Sequence, residues 1–179
     1  MIVTTGEVVW ITGLSGAGKT TLAQEVVNQL RADGRAVVML DGDELREVFG
    51  ASAANANNHC REARLAFAMK YAHLCRMLAM QGLTVVIATI SLFREVHDWN
   101  RYNLPGYFEV YLKVPINELR RRDPKGIYRR HDAGELSFVA GLDMPIDEPE
   151  AADYMVEFTS DLAVTELAKE LNQILNRRK

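Results

Sequence analysis

The chain has little of several features that mark other classes of protein. Its two cysteines, Cys60 and Cys75, lack metal-ligand spacing, so we expect reduced thiols and no structural metal. The net charge of −3 argues against general binding to nucleic acid or to a membrane surface. No apolar run approaches the length of a membrane span, and residues 1–5 lack the features of a signal peptide. These absences predict a cytoplasmic protein that binds neither membrane nor nucleic acid.

The chain does contain five apolar, β-prone runs that alternate with helical patterns. The runs are residues 8–12, 36–40, 83–89, 108–114 and 154–158. Such alternation predicts a parallel sheet, and the nearly continuous Val, Ile and Leu content predicts helices on both of its faces. We therefore expect a single α/β domain over all 179 residues. Ligands of such sheets bind beyond the carboxyl ends of the strands.

The first run leads into a glycine-rich segment, residues 13–20, that fills the pattern G-x-x-x-x-G-K-[ST]. A predicted helix over residues 21–30 follows. Backbone N–H groups that no Cβ obstructs can wrap a triphosphate, and the helix N-terminus favours anions. We expect Lys19 to reach the β- and γ-phosphates of ATP and the Thr20 hydroxyl to reach Mg²⁺. The predicted ATP contacts are Gly13, Ser15, Gly16, Ala17, Gly18, Lys19, Thr20 and Thr21.

Polar side chains also follow the second and third runs. Asp41 ends the second run beside the phosphate loop, so it is predicted to be the base for an acceptor hydroxyl or a partner of Mg²⁺. The alternative is an Asp-Gly turn in which Asp43 caps a helix. Ser91 follows the third run and is predicted to face the acceptor, with a turn or capping role as the alternative.

Basic residues cluster in two places. Arg61 and Arg64 lie near the start of a helical pattern over residues 59–81, where a cation opposes the helix dipole. A nearby anion would explain them, and a solvated pair is the alternative. Six of the eleven residues 120–130 are basic, and Pro124 and Gly126 interrupt the helical pattern there. The segment from there to Gly141 is predicted to be irregular. We predict a basic lid over about residues 120–143 that closes on phosphates, with a solvated charged face as the alternative.

Together these residues resemble the adenylylsulfate kinase family, P-loop kinases that phosphorylate the ribose 3′-hydroxyl of adenylylsulfate. The matching segments are residues 11–21, 40–43 with Arg46, 90–91, 122–128, 133–135, and 141–143 with Pro145. The resemblance implies that Asp41 assists the acceptor hydroxyl, that Arg46 and Lys125 contact the acceptor's anionic groups, and that Arg122 approaches the donor nucleotide. The remaining predicted acceptor residues are Asp43, Arg61, Arg64, Ile90, Ser91 and Val139.

Several positions depart from that family. Val139 takes the place of a lid phenylalanine that would stack on adenine, a loss of about 1 kcal/mol or more in base recognition. Glu44 replaces an Asn of the family, and Asp132 replaces a lid arginine. Residues 51–58 replace the Phe-Ser segment that precedes the long helix in that family. Residues 88–93 are instead similar to a divergent branch that includes cytidine diphosphoramidate kinase.

We therefore predict an ATP- and Mg²⁺-dependent kinase that acts on a small nucleotide. Adenylylsulfate is the first candidate acceptor, and a cytidine phosphoramidate is the second. An ATP-binding regulatory protein and a kinase of small acids such as shikimate are the rival interpretations, and homodimeric assembly is left open.

Overall fold

The computed structural model describes residues 5–50, 60–159 and 163–178. The strands are β1 (Val8–Gly13), β2 (Val37–Asp41), β3 (Thr84–Thr89), β4 (Phe108–Lys113) and β5 (Tyr154–Glu157). The helices are α1 (Lys19–Ala32), α2 (Gly42–Val48), α3 (Arg61–Ala79), α4 (Arg94–Asn103), α5 (Ile116–Arg122), α6 (Ile127–Asp132) and α7 (Val164–Arg177). Residues 51–58, which depart from the family, and residue 59, the predicted start of the long helix, lie outside the described residues.

The five strands form one parallel sheet in the order β2-β3-β1-β4-β5. β1 lies at the centre, where Ile11 pairs with Ala88 on one side and with Val110 on the other. All carboxyl ends therefore meet at one edge, which the loop after β1 and the residues after β2 and β3 share. The predicted parallel α/β sheet is confirmed.

Alternate side chains of β1 pack into two separate hydrophobic clusters, one on each face of the sheet. Val9 and Ile11 belong to a cluster that includes buried residues of α1 and α7. Val8 and Trp10 belong to a second cluster with buried residues of α3 and α4. Because both faces are covered, every residue of β1 is buried, which explains the continuous apolar pattern of this strand.

The lid segment is more regular than its sequence suggests. Residues 123–141, predicted to be irregular, contain the short helix α6. The Asp123 carboxylate accepts hydrogen bonds from the backbone N–H groups of Tyr128 and Arg129, at 3.2 and 3.0 Å, and so caps that helix. The prediction was wrong here because Pro124 and Gly126 end α5 but do not prevent a new helix from starting after them.

Two further expectations concern absences. Cys60 and Cys75 are not joined in a disulfide, and Cys75 is buried in the core. Among the described residues, no helix combines the length and apolar content that a membrane crossing requires.

Candidate active site

A cavity of about 540 Å³ lies at the carboxyl edge of the sheet. Residues from the loop after β1, the ends of β2 and β3, α3 and the lid segment line it. The predicted site residues in its lining are Ser15, Gly16, Gly18, Lys19, Thr20, Thr21, Asp41, Asp43, Arg46, Arg64, Ile90, Ser91, Lys125 and Val139. Gly13, Ala17, Arg61 and Arg122 lie outside the lining. A second cavity, of about 650 Å³ between β5 and α7, contains none of the predicted residues.

The phosphate loop is formed by backbone geometry that glycine permits. Gly16 and Gly18 have φ of 78° and 96°, in the left-handed region, and Gly18 is the N-cap of α1. The half-buried Lys19 side chain folds back over the loop, and its ammonium donates a hydrogen bond to the Leu14 carbonyl oxygen at 2.8 Å. Burial lowers the pKa of Lys19 to about 8, against the opposing charge of Asp43. A phosphate in the loop would restore a favourable partner for this cation.

Asp41 connects the phosphate loop to the start of α2. Its Oδ2 accepts a hydrogen bond from the Thr20 hydroxyl at 2.7 Å, and its Oδ1 accepts one from the Asp43 N–H at 2.8 Å. Asp41 is therefore the N-cap of α2, whereas the sequence suggested Asp43 for that role. The cap fixes the rotamer of Asp41, so one carboxylate oxygen faces Thr20 at the start of α1.

The lid is joined to the first turn of α2 by an ion pair between Lys125 and Asp43. Both side chains are more than half exposed, at 54% and 67%, so the pair can separate at little energetic cost. Each of these residues also lines the cavity. An anionic acceptor that entered would compete with Asp43 for the Lys125 ammonium.

Two guanidinium groups line the part of the cavity near α3. Arg64 donates a hydrogen bond to the Phe138 carbonyl oxygen at 2.8 Å. Burial lowers the pKa of Arg64, and the positive charge of Arg46 acts in the same direction. Two cations held close together on a cavity wall raise the local potential and favour an anion between them.

The end of β3 supplies two hydroxyl groups that satisfy each other. Ser91 is buried with φ of 32°, and its Oγ lies 2.7 Å from the Thr89 Oγ1. The Ile90 carbonyl oxygen accepts a hydrogen bond from the Thr12 hydroxyl. Ser91 is thus held by Thr89 in the loop after β3, and it also lines the cavity.

Arg61 and Arg122 form ion pairs with carboxylates and do not line the cavity. Arg61 donates to Glu95 and to Asp147, each at 3.1 Å, and the Glu95 contact raises the pKa of the guanidinium. Arg122 pairs with Glu118 at 2.7 Å and lies over the Phe158 ring.

One guanidinium nitrogen of Arg122 is nevertheless 3.5 Å from the Gly16 carbonyl oxygen, at the edge of the phosphate loop. Arg121 and Arg122 together lower the pKa of the Glu118 carboxyl to about 2.

Two residues near the site were not singled out from the sequence. Tyr128 in α6 is buried, and its hydroxyl donates to the Ser15 carbonyl oxygen at 2.8 Å, which ties the lid to the phosphate loop. The only available signal was its place in the Lys-Gly-Ile-Tyr stretch of the basic segment. Phe67 in α3 packs against the second core cluster and also lines the cavity.

Comparisons with known proteins agree with this geometry. Residues 5–157 match the family model described as Adenylylsulphate kinase. The cytidine diphosphoramidate kinase of Campylobacter jejuni is 40% identical over 144 residues, which is 80% of this chain and 82% of that protein. The adenylyl-sulfate kinase of Deinococcus deserti is 37% identical over 169 residues, 93% of this chain and 90% of that protein.

A solved structure extends the likeness to three dimensions. The APS kinase of Mycobacterium tuberculosis, determined in complex with AMPPNP and APS, superposes with a TM-score of 0.82 at 31% identity. The superposition covers 96% of this chain and 98% of the other.

Proposed function

The chain belongs to the adenylylsulphate kinase family, and we propose that it transfers the γ-phosphate of ATP to a ribose hydroxyl of a small nucleotide. The acceptor carries an anionic group attached through its 5′ phosphate. Adenylylsulfate is the first candidate acceptor.

The observation that carries this proposal is the composition of one continuous cavity. It joins the phosphate-loop residues Lys19 and Thr20 to Asp41, and it continues to the guanidinium groups of Arg46 and Arg64. A triphosphate needs the first part, and a second, anionic substrate would explain the last. Asp41 lines the same cavity and contacts Thr20, which supports a meeting of the attacking hydroxyl and the transferred phosphate near its carboxylate.

Mg²⁺ is the ion that we propose accompanies ATP. The Thr20 and Asp41 oxygens lie 2.7 Å apart, and hydroxyl and carboxylate oxygens are ligands that Mg²⁺ prefers. Within the described ranges, no group of three or more His, Cys, Asp or Glu residues is placed to hold a metal alone. This composition fits an ion held largely by phosphates and water, which when bound would offset the negative charge of the phosphates.

The residues of the chain divide the remaining work. Asp41 would orient the acceptor hydroxyl and accept its proton, since phosphoryl transfer depends on positioning and charge stabilisation. Lys19 would hold the β- and γ-phosphates, and Arg122 would approach the donor from the edge of the loop. Lys125 would leave Asp43 for the acceptor's anion as the lid segment covers the site and excludes water.

A cytidine-linked phosphoramidate is the second candidate acceptor. The lid part of the cavity lining contains Val139, an aliphatic side chain, where the resemblance implies an aromatic ring that stacks on adenine. The 40% identity to a cytidine diphosphoramidate kinase also favours this candidate. Both acceptors combine a ribose hydroxyl with an anionic 5′ group, so the same catalytic residues would serve either.

The test is phosphate transfer from γ-labelled ATP to each acceptor, measured as labelled nucleotide product. We expect product with one of the two acceptors, and Lys19→Ala should abolish it without changing the circular-dichroism spectrum. If only the cytidine compound gives labelled product, the cytidine compound and not adenylylsulfate is the acceptor. No product from either, with shikimate or gluconate phosphorylated instead, would overturn the proposal.

A further inference from the structure

Among the described residues, three aromatic side chains line the cavity, and two of them are buried. Tyr71 is buried, with its ring stacked on Phe49 at a centroid distance of 6.0 Å. Phe93 is buried, and the Arg61 guanidinium lies 5.2 Å from its ring centroid. Phe67 is only half-buried while it lines the same cavity. Its ring is therefore the aromatic surface best exposed to an incoming ligand.

The surroundings of Phe67 match the two chemical parts of a nucleotide. The Lys70 ammonium and the Arg46 guanidinium lie 4.9 and 5.8 Å from its ring centroid. The anionic group of a ligand bound at this ring would therefore lie near positive charge. Arg46 lines the cavity together with Arg64. A planar base could stack on the ring while the anionic group of the same molecule contacts the two guanidinium groups.

Among the described residues, no aromatic side chain of the lid lines the cavity. The lid residues in the lining are Pro124, Lys125, Ile127, Leu136, Val139 and Ala140. Phe67 of α3 is therefore the most accessible aromatic side chain in the described lining.

We propose that Phe67 is the stacking platform for the acceptor's nucleobase and therefore a specificity-determining residue. This inference is built on the proposed nucleotide acceptor. It assigns base recognition to α3 in place of position 139 of the lid. Stacking tolerates any base, so the platform requires a nucleobase without selecting purine over pyrimidine by itself.

The experiment measures binding with the donor site filled by AMPPNP and Mg²⁺. Calorimetric dissociation constants are determined for AMP, for CMP and for ribose 5-phosphate, which keeps the sugar and the anion but lacks a base. Wild type should bind at least one nucleotide about tenfold more tightly than ribose 5-phosphate, which corresponds to about 1.4 kcal/mol. Phe67→Leu should remove that advantage and leave ribose 5-phosphate binding within twofold.

Matched variants separate stacking from a structural role. Phe67→Tyr keeps the ring and should restore nucleotide binding to within about threefold of wild type. Phe49→Leu removes a neighbouring ring that also lies near Lys70 but outside the cavity lining, and it should change none of the three constants.

The outcomes distinguish this inference from the proposed function. Equal losses for nucleotides and ribose 5-phosphate in Phe67→Leu would mean a general structural effect and would overturn the platform. Wild type that binds neither nucleotide better than ribose 5-phosphate would overturn it as well, whatever the transfer assay shows. Absence of phosphate transfer in a protein that passes the binding test would instead contradict the proposed function alone.

Discussion

Replacement of Asp41 by Asn separates the catalytic use of this side chain from its structural use. The Asn amide keeps one oxygen, which can still cap α2 by accepting from the Asp43 N–H. In wild type that N–H lies 2.8 Å from the Asp41 Oδ1. The other oxygen becomes an NH₂ group, toward which the Thr20 hydroxyl can turn its lone pair in place of its proton. We therefore expect a loss of less than about 1 kcal/mol in the free energy of unfolding.

The loss of transfer activity should be much larger. A positioned general base contributes about 10²- to 10⁴-fold, or about 2.7 to 5.4 kcal/mol of barrier. An amide neither accepts the hydroxyl proton nor carries the charge that would favour Mg²⁺. We expect kcat for Asp41→Asn to fall by at least about 100-fold, with a higher Mg²⁺ concentration needed for half-maximal rate.

The assay combines single-turnover transfer of labelled phosphate with calorimetric melting. The melting temperature of Asp41→Asn should fall by less than about 2–4 °C, the shift that 1 kcal/mol produces in a protein of this size. Asp41→Ala should lose the helix cap as well, for about 0.5–2 kcal/mol more.

Asp33→Asn is the matched control. Asp33 accepts a hydrogen bond from Asn172 at 2.9 Å, far from the cavity lining, so its kcat should equal that of wild type. Retention of kcat within about threefold in Asp41→Asn, at a normal melting temperature, would refute the role of Asp41 as base.

Three further predictions address the lid, the ion pairs and pH. Val139→Phe should raise kcat/KM for adenylylsulfate by up to about tenfold if a ring on the lid adds to stacking on Phe67; no gain would leave base recognition to α3 alone. Arg61→Gln should lower the melting temperature by no more than about 2–4 °C and leave the acceptor KM within twofold, because its guanidinium is engaged by carboxylates; a tenfold higher KM would make it an acceptor ligand. Glu118, whose pKa is lowered to about 2, stabilises the fold above its ordinary pKa of 4.5, and that contribution is lost as the pH falls from 4.5 to 2. Urea denaturation should therefore show wild type more stable than Glu118→Gln at pH 7 and the difference shrinking by pH 3, and a constant difference would contradict this account.

Local patterns in the sequence were sufficient for the architecture and for the donor side of the site. The apolar runs predicted all five strands, since a strand covered on both faces must be apolar throughout. The phosphate loop was predictable because its function depends on consecutive residues, glycines with positive φ followed by Lys19 and the start of a helix. The likeness to kinases of known fold confirms the kinase interpretation over a regulatory protein.

The tertiary structure decided which partners the charged and aromatic side chains meet. Spacing alone placed Arg61 and Arg64 on neighbouring positions of one helix. The two arginines nevertheless meet different partners, because Arg61 pairs with Glu95 and Asp147, 34 and 86 residues away, while Arg64 reaches the lid and the cavity. Phe67 has the helical spacing of a core residue and packs against the second core cluster, but only the packing of α3 shows that it also lines the cavity. Periodicity specifies which side chains share a face of a helix, and only the packing of distant segments determines what that face contacts.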